Sequence, residues 1–517
     1  MKILSAAQTR ALDEGTMKAQ GITSLELMER AATALLNWLL DTLHPAADTP
    51  FHILCGPGNN GGDGLALARR LHQAGYQPEV WLLPAEKTSA DYTSNLQRLP
   101  AAVPRHELHA RHLPTFPAGA VVLDALFGTG LSRPLAGLAA QVVAHLNDSQ
   151  ALCIAVDMPS GLLADAPQPA GSAIVQAHYT LSFELPKMAF LLPQNADFVG
   201  EWELLPIGLE STVIHKLAVD NCFIEENFLA GRYPRRPKFS HKGTFGHALL
   251  LAGSQGKIGA AVLASRACLR GGVGLLTTRI PQVGYDILQT TTPEAMCLLD
   301  PATDYISELP DLQPYAAIGI GPGLGQEDAS REVLRRLLET AKVPLIIDAD
   351  ALNLLGANRE LLKLLPPDTL LTPHPKEFER LTGEPARDDY HRLEQLRQFA
   401  RHHKCFCVLK GAYSALATPE GQVYFNSTGN PGMATGGSGD VLTGLLLALR
   451  ADKRLSACNA ALIGLYAHGR AGDLAVQQTG EAGLVAGDIV RFIGPALQEL
   501  TDADLITEPP LSPRRGG

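Results

Sequence analysis

The sequence predicts an α/β protein of two domains, each a mainly parallel sheet flanked by helices. Three observations predict it. Short apolar runs alternate with helix-spaced stretches along most of the chain. Polar, glycine-rich loops follow apolar runs directly, as at the strand ends where open α/β sheets build their sites. The 517 residues exceed what one hydrophobic core organises, and Arg232-Tyr-Pro-Arg-Arg-Pro-Lys238 reads as a break rich in proline and charge. The expected division is residues 1–211, a linker over 212–234, a second domain over 235–505 and a disordered tail over 506–517.

Composition narrows the class. A hydrophobic fraction of 46% and a charged fraction of 19% are ordinary for a globular chain. The net charge of −10 argues against a general nucleic-acid partner. No stretch of about 20 apolar residues suits a membrane span, so no membrane partner is expected. The first residues meet charge too early for a signal peptide. Eight cysteines without a CxxC pair read as reduced thiols, hence a cytoplasmic protein.

Residues 5–43 carry Met17, Leu25, Leu27, Met28, Leu35, Leu36, Leu39 and Leu40 at helical spacing, divided at Gly21. Then comes strand, glycine loop and helix: Phe51-His-Ile-Leu-Cys-Gly-Pro-Gly-Asn-Asn-Gly-Gly-Asp-Gly64. The loop satisfies G-x-G-x-x-G. The next strand, Glu79-Val-Trp-Leu-Leu83, ends without the acidic residue that holds a ribose hydroxyl in ordinary dinucleotide sites. Two later strands end in Val121-Val-Leu-Asp-Ala-Leu-Phe-Gly-Thr-Gly130 and Cys153-Ile-Ala-Val-Asp-Met-Pro-Ser-Gly161. Asn60, Asp124 and Ser160 would offer a hard cation the oxygens it selects. Turn chemistry accounts for any one such loop, but less well for three on one sheet. Apolar runs at 179–183 and 202–205 complete the sheet.

With these motifs the first half resembles the NAD(P)H-hydrate epimerase domain, YjeF_N, over about residues 5–210. The resemblance implies a Rossmann-like three-layer sandwich. It implies potassium ligands at Asn60, Asp124 and Ser160. It places hydrate contacts at Asn59, Asn60, Gly61, Gly62, Asp63, Gly128, Thr129, Gly130, Leu131, Ser132, Arg133, Pro134 and Asp157. Where the family often reads Leu-Met-Glu-Asn-Ala-Gly, this chain has Leu27-Met-Glu-Arg-Ala-Ala32. The substrate carries a hydroxyl beside the nitrogen of a reduced nicotinamide ring, and loss of that hydroxyl or ring opening scrambles the centre. Both routes need proton transfer, and Asp157 is the candidate acid/base.

The second half repeats the pattern. Strands are expected at 248–251, 275–278, 317–320, 345–347, 370–371, 406–409 and 423–425, and helices near 258–270, 330–341, 390–403, 441–450, 456–476 and 487–499. Their polar loops are Gly319-Ile-Gly-Pro-Gly-Leu-Gly325, Asp348-Ala-Asp-Ala-Leu-Asn353, Thr372-Pro-His-Pro-Lys-Glu377 and Lys410-Gly-Ala-Tyr-Ser414. Asp348 and Asp350 read either as helix caps or as site carboxylates, and His374 as structural or functional. His468 and Asp473 are assigned to packing. In Gly436-Gly-Ser-Gly-Asp440 the glycines suit positive φ and close approach of a ligand, before a helix beginning near Asp440 whose N-terminus attracts anions. Asp440 is either that helix's N-cap or a general base at a phosphoryl-transfer site.

Together these loops resemble the ribokinase-like superfamily, and more narrowly its ADP/ATP-dependent NAD(P)H-hydrate dehydratases, over about residues 235–500. The resemblance implies a ribokinase-like α/β domain with hydrate contacts at Ala260, Gly323, His374 and Asp440. It implies nucleotide contacts at Lys410, Gly411, Ala412, Tyr413, Ser414 and Gly439. It also implies ADP or ATP as phosphoryl donor, ADP being preferred, with magnesium. The mechanism it suggests is a kinase step used as a dehydration. Asp440 takes the hydroxyl proton, the oxygen accepts the terminal phosphoryl, and the ring nitrogen expels phosphate. The expected substrates are NADH-hydrate and NADPH-hydrate, the first half interconverting R and S epimers and the second returning the S epimer to NAD(P)H. A homo-oligomer is compatible with the apolar N-terminal helices. The alternative is a ribokinase-like small-molecule kinase fused to a non-catalytic nucleotide-binding module.

Overall fold

The computed structural model describes residues 1–507. The described chain divides into two compact units, one of Lys2–Val219 with Asp388–Tyr390, the other of Met1, Asp220–Arg387 and the chain from His391 onward. Among the described residues no helix is long and apolar enough to cross a membrane.

The first unit holds seven parallel strands: β1 Phe51–Cys55, β2 Glu79–Leu82, β3 Arg105–Glu107, β4 Val121–Ala125, β5 Leu152–Val156, β6 Tyr179–Phe183 and β7 Glu201–Leu205. Their order is β3-β2-β1-β4-β5-β6-β7, so the winding reverses between β1 and β4. Side chains alternate across this sheet. Ile53, Leu123 and Ile154 join one buried cluster, while Leu54, Val122 and Cys153 join another on the opposite face. Two filled faces make the sandwich three-layered. Ahead of the sheet stand the helices Ala6–Gln20 and Ser24–Trp38, begun by capping boxes at Ser5–Gln8 and Thr23–Glu26. Gly21 ends the first at φ 66°, which is why the apolar repeat divides there.

The second unit holds β8 Asn221–Ile224, β9 His247–Leu251, β10 Leu275–Ile280, β11 Met296–Leu299, β12 Ala317–Ile320, β13 Leu345–Ile347, β14 Leu370–Leu371, β15 Phe406–Leu409, β16 Ala415–Ala417 and β17 Val423–Asn426. Their order is β11-β10-β9-β12-β13-β14-β15-β16-β17-β8. Only the pairs involving β16 are antiparallel. Here the winding reverses between β9 and β12.

Three expectations need correcting. Residues 212–234 are not a free linker: they include the helix Ser211–Lys216 and the strand β8, which pairs in parallel with β17. The strand lies at the edge of its sheet and is only partly buried, so pairing defines it rather than the fully buried apolar run of a central strand. Strands β3 and β11, also at edges, escape sequence reading for the same reason, and β16 is only Ala415–Ala417. The last helix, Ala486–Thr507, takes in residues 506 and 507; the rest of the expected disordered tail lies outside the described residues.

Candidate active sites

Each unit opens a cavity beyond the C-terminal ends of its strands, beside the place where the winding reverses. In the first unit the cavity measures about 780 Å³. Loops after β1, β4, β5 and β6 reach it, and the two N-terminal helices close it with Asp13, Leu27 and Met28. Of the expected hydrate contacts, Asn59, Asn60, Asp63, Gly128, Thr129, Gly130, Leu131, Ser132, Arg133 and Asp157 line it. Gly61 and Gly62 do not. A Cβ on Gly61 would meet the Gly56 carbonyl oxygen at 1.8 Å, and one on Gly62 the Met28 side chain at 2.8 Å. Packing against backbone therefore requires Gly61, whereas at Gly62 the neighbour is the end of a flexible methionine. Pro134 is exposed and also outside the lining.

Asp157 follows β5 with φ 67°, in the left-handed region. Such strain in a non-glycine residue persists only where the surroundings enforce it. Here Lys187 Nζ lies 2.9 Å from Oδ1 and donates to Ser182 Oγ at 2.6 Å. Ser182 Oγ lies 3.3 Å from the same carboxylate oxygen, and the Thr129 N–H donates to Oδ2 at 3.3 Å. Lys187 is only 3% exposed. The sequence reading missed it and Asp13; the one available signal was a lysine just past the C-terminal end of β6.

Behind the cavity Asp124 is fully buried. It accepts hydrogen bonds from the Ser160 N–H at 2.7 Å and Ser160 Oγ at 2.6 Å. Burial pushes its carboxyl up to about 6, against the pull of those bonds. No cationic side chain pairs with it among the described residues. A buried, hydrogen-bonded carboxylate lacking a counter-charge, with Ser160 Oγ beside it and the Phe127 carbonyl 3.2 Å from that hydroxyl, fits a hard monovalent cation. Among the described residues Asn60 Nδ2 is buried without a partner.

In the second unit a cavity of about 450 Å³ is lined by Lys257, Ala260, Gly323, Asp350, Glu377 and Asp440, among others. Ala260 and Gly323 meet closely: a Cβ on Gly323, at φ 59°, would lie 3.1 Å from that of Ala260. The helix carrying Asp440 runs Ser438–Ala451 and begins two residues earlier than its apolar pattern suggests. Its N-cap is Gly437 at φ 91°. The capping reading of Asp440 therefore fails, since Asp440 is the third helical residue and makes no cap hydrogen bond. Gly436 and Gly439 do not have positive φ. Gly439 instead gives room: a Cβ there would stand 3.5 Å from Lys410 Nζ and 3.8 Å from Asp348 Oδ2.

Asp348 does not cap its helix with its side chain either. It is 1% exposed and receives Lys410 Nζ at 2.9 Å and Thr443 Oγ1 at 2.6 Å. Lys410 also lies 3.9 Å from Glu377. This network fixes the lysine over the start of the Asp440 helix. Burial first, then the charge of Asp348, pushes Asp440 up to about 6, with Lys410 opposing. His374 caps the helix Pro375–Thr382: its Nδ1 accepts from the Lys376 and Glu377 N–H groups at 3.2 and 3.3 Å. Nε2 is thereby left as the N–H nitrogen. His374 lies outside the lining, next to Glu377 within it. Gly411, Ala412, Tyr413 and Ser414 form a turn, closed where the Gly411 N–H donates to Ser414 Oγ at 3.2 Å. His468 Nε2 sits 3.0 Å from the Ser438 carbonyl, so it supports the first turn of the same helix.

Known proteins match both units. The family described as YjeF-related protein N-terminus matches residues 24–189, and that described as NAD(P)H-hydrate dehydratase matches residues 248–494. The bifunctional NAD(P)H-hydrate repair enzyme Nnr of Moorella thermoacetica is 36% identical over 520 residues, covering 97% of this chain and 98% of its own. Its namesake in Thermofilum pendens is 34% identical over 97% of both chains. The crystal structure of the ADP/ATP-dependent NAD(P)H-hydrate dehydratase from Bacillus subtilis, co-crystallized with ATP/Mg2+, is 32% identical, covers 55% of this chain and 100% of its own, and gives a TM-score of 0.48. Near-full-length identity at this level, spanning both units and their loops, makes this chain a member of the bifunctional NAD(P)H-hydrate repair enzyme family.

Proposed function

We propose that Asp440 is the general base of the dehydratase reaction in the second unit, and that the first unit supplies the epimer this reaction consumes. The observation that carries the reading is the cluster at the helix start. Asp440 faces the cavity while Lys410, held by Asp348, stands beside Gly439. A base, a fixed cation and free helix N–H groups at one point suit transfer of a phosphoryl group to an alcohol.

Asp440 takes the proton of the C6 hydroxyl, whose oxygen then accepts the terminal phosphoryl group of ADP or ATP. Lys410 and the amides of Gly437 to Gly439 hold the growing charge. The ring nitrogen expels phosphate, the resulting cation gives up a proton from C5 to solvent, and the C5–C6 double bond of the reduced nicotinamide is restored. Ala260 and Gly323 form the wall against which the hydrate packs, and His374 offers its Nε2–H. The 410–414 turn receives the nucleotide. Asp350, which meets Lys257 Nζ at 3.0 Å, is the carboxylate that would hold a magnesium ion bound with the nucleotide, whose charge would neutralise phosphate; one or two carboxylates plus phosphate oxygens is the usual set. In the first unit Asn60, Asp124 and Ser160 would hold potassium, whose charge would balance Asp124.

The test is turnover of NADH-hydrate and NADPH-hydrate with ADP and with ATP, comparing the unaltered chain with Asp440→Ala. Loss of a positioned base lowers rate by about 10²–10⁴, so the variant should bind nucleotide and release almost no phosphate. A variant that still raises the nicotinamide absorbance at the original rate defeats the assignment. A stable phosphoester product would instead favour a small-molecule kinase.

A further inference from the structure

Interconverting the two C6 epimers requires a proton to be given as well as taken. In the first unit Asp157 is an acceptor at both oxygens, facing Lys187 and Ser182 on one and the Thr129 N–H on the other. Asp13, on the helix Ala6–Gln20, lines the same cavity. Among the described residues it has no hydrogen-bond or ion-pair partner. Asp157 after β5, Lys187 after β6 and Asp63 after β1 act on it by charge, as does Glu14 on its own helix, and Arg133 after β4 and Arg10 line the same cavity. Lys187 is committed to Asp157 and Ser182, so Asp13 is left open toward the ligand space.

Resting on the epimerase reading above, we propose that Asp13 is the catalytic acid of the first unit, with Asp157 as its basic counterpart. The proton of Asp13 passes to the C6 hydroxyl oxygen. The C6–O bond breaks, its electron pair leaves in water, and the ring-nitrogen lone pair forms the bond to C6. The resulting cation faces the new Asp13 carboxylate. Water then adds to the opposite face of C6, the nitrogen recovers its pair, and the surplus proton passes to Asp157. Proton return to Asp13 through solvent closes the cycle, and nothing is consumed.

Burial, and after it the charge of Asp157, pushes Asp13 up to about 6. There a carboxyl keeps its proton in a fraction of molecules near neutrality and gives it up readily. Asp63 lines the same cavity but is pushed well higher, which suits a steady hydrogen-bond donor better than a proton shuttle.

The experiment follows interconversion of separated epimers by the full chain without nucleotide. Asp13→Asn should lower the rate at least about 100-fold. It should also remove the fall in rate that the unaltered chain shows as pH rises above about 6, where an acid loses its proton. Asp13→Glu, which keeps a carboxyl, should recover part of the rate and that pH dependence. An Asn variant within about threefold of the unaltered chain, or a Glu variant no faster than Asn, overturns the proposal. Loss confined to Asp63→Asn does the same. If the unaltered chain fails to accelerate interconversion over the spontaneous rate, the epimerase reading falls as well, which separates the two failures.

Discussion

Asp440 sits where its charge is disfavoured, among Asp348, Asp350 and apolar surroundings, with Lys410 the opposing influence. Its folded carboxyl titrates near 6 rather than at its ordinary value of 3.8. A base must be ionised, so dehydratase rate should fall as pH drops through about 6, as a pH–rate profile would read. Stability runs the other way: a carboxyl raised in the folded state costs stability as pH climbs from the unfolded value through the folded one. Asp440→Asn should therefore raise the Tm at pH 7.5, by less at pH 4, while abolishing turnover; a lowered Tm would contradict this. Lys410→Met should act oppositely, leaving the 1% exposed Asp348 with Thr443 alone. Removing one partner of a buried pair costs about 3 kcal/mol. Urea unfolding checks the loss, and adding Asp348→Asn should restore part of it.

At the scale of elements, the helix Ser438–Ala451 carries the site only because it lies against Ile258–Arg270, the helix that bears Ala260. Gly444 makes that crossing possible: a Cβ there would stand 2.0 Å from the Ala264 carbonyl oxygen. Backbone cannot yield as a side chain can, so Gly444→Ala should destabilise by about 3 kcal/mol, the upper end for overpacking. Gly411 offers the contrast. A Cβ there meets nothing within 4 Å, and its φ is not positive. Gly411→Ala should leave stability within about 0.5 kcal/mol. A raised KM for ADP or ATP in that variant would then report ligand contact at the 410–414 turn, and an unchanged KM would remove Gly411 from the nucleotide site.

For the whole molecule, each unit has a buried cluster of its own: Ile53, Leu123 and Ile154 belong to one, Leu250, Ile346 and Leu445 to the other. Separate cores unfold separately unless strongly coupled. Calorimetry should resolve two transitions, with ADP or ATP raising one of them. At a hundredfold excess over Kd the gain is about 2.7 kcal/mol. Exchanging potassium for a bulky organic cation should lower the other transition in the unaltered chain and not in Asp124→Asn. A single transition, or both moving with nucleotide, would contradict the division.

Most strands, the longer helices and the loops that line the two cavities were legible in the sequence, because periodicity and glycine or aspartate at strand ends are local properties; helices such as Ala90–Arg98, Gly137–Asn147 and Tyr285–Thr291 were not. Strands β3, β8, β11 and β16 were not either: the first three lie at sheet edges and are only partly buried, so pairing defines them rather than a fully buried apolar run, and β16 is a three-residue return strand that forms only beside neighbours already in place. The residue types at the sites were legible too, but not their roles. Gly61 is held by packing against the Gly56 carbonyl, and Asp440 proved not to be a cap. What only tertiary structure decided is which distant groups meet: Lys410 with Asp348 across 62 residues, Thr443 with Asp348 across 95, Lys187 with Asp157 through strand pairing. Charge and hydrogen bonding act over a few ångströms in space and leave no mark on spacing along the chain.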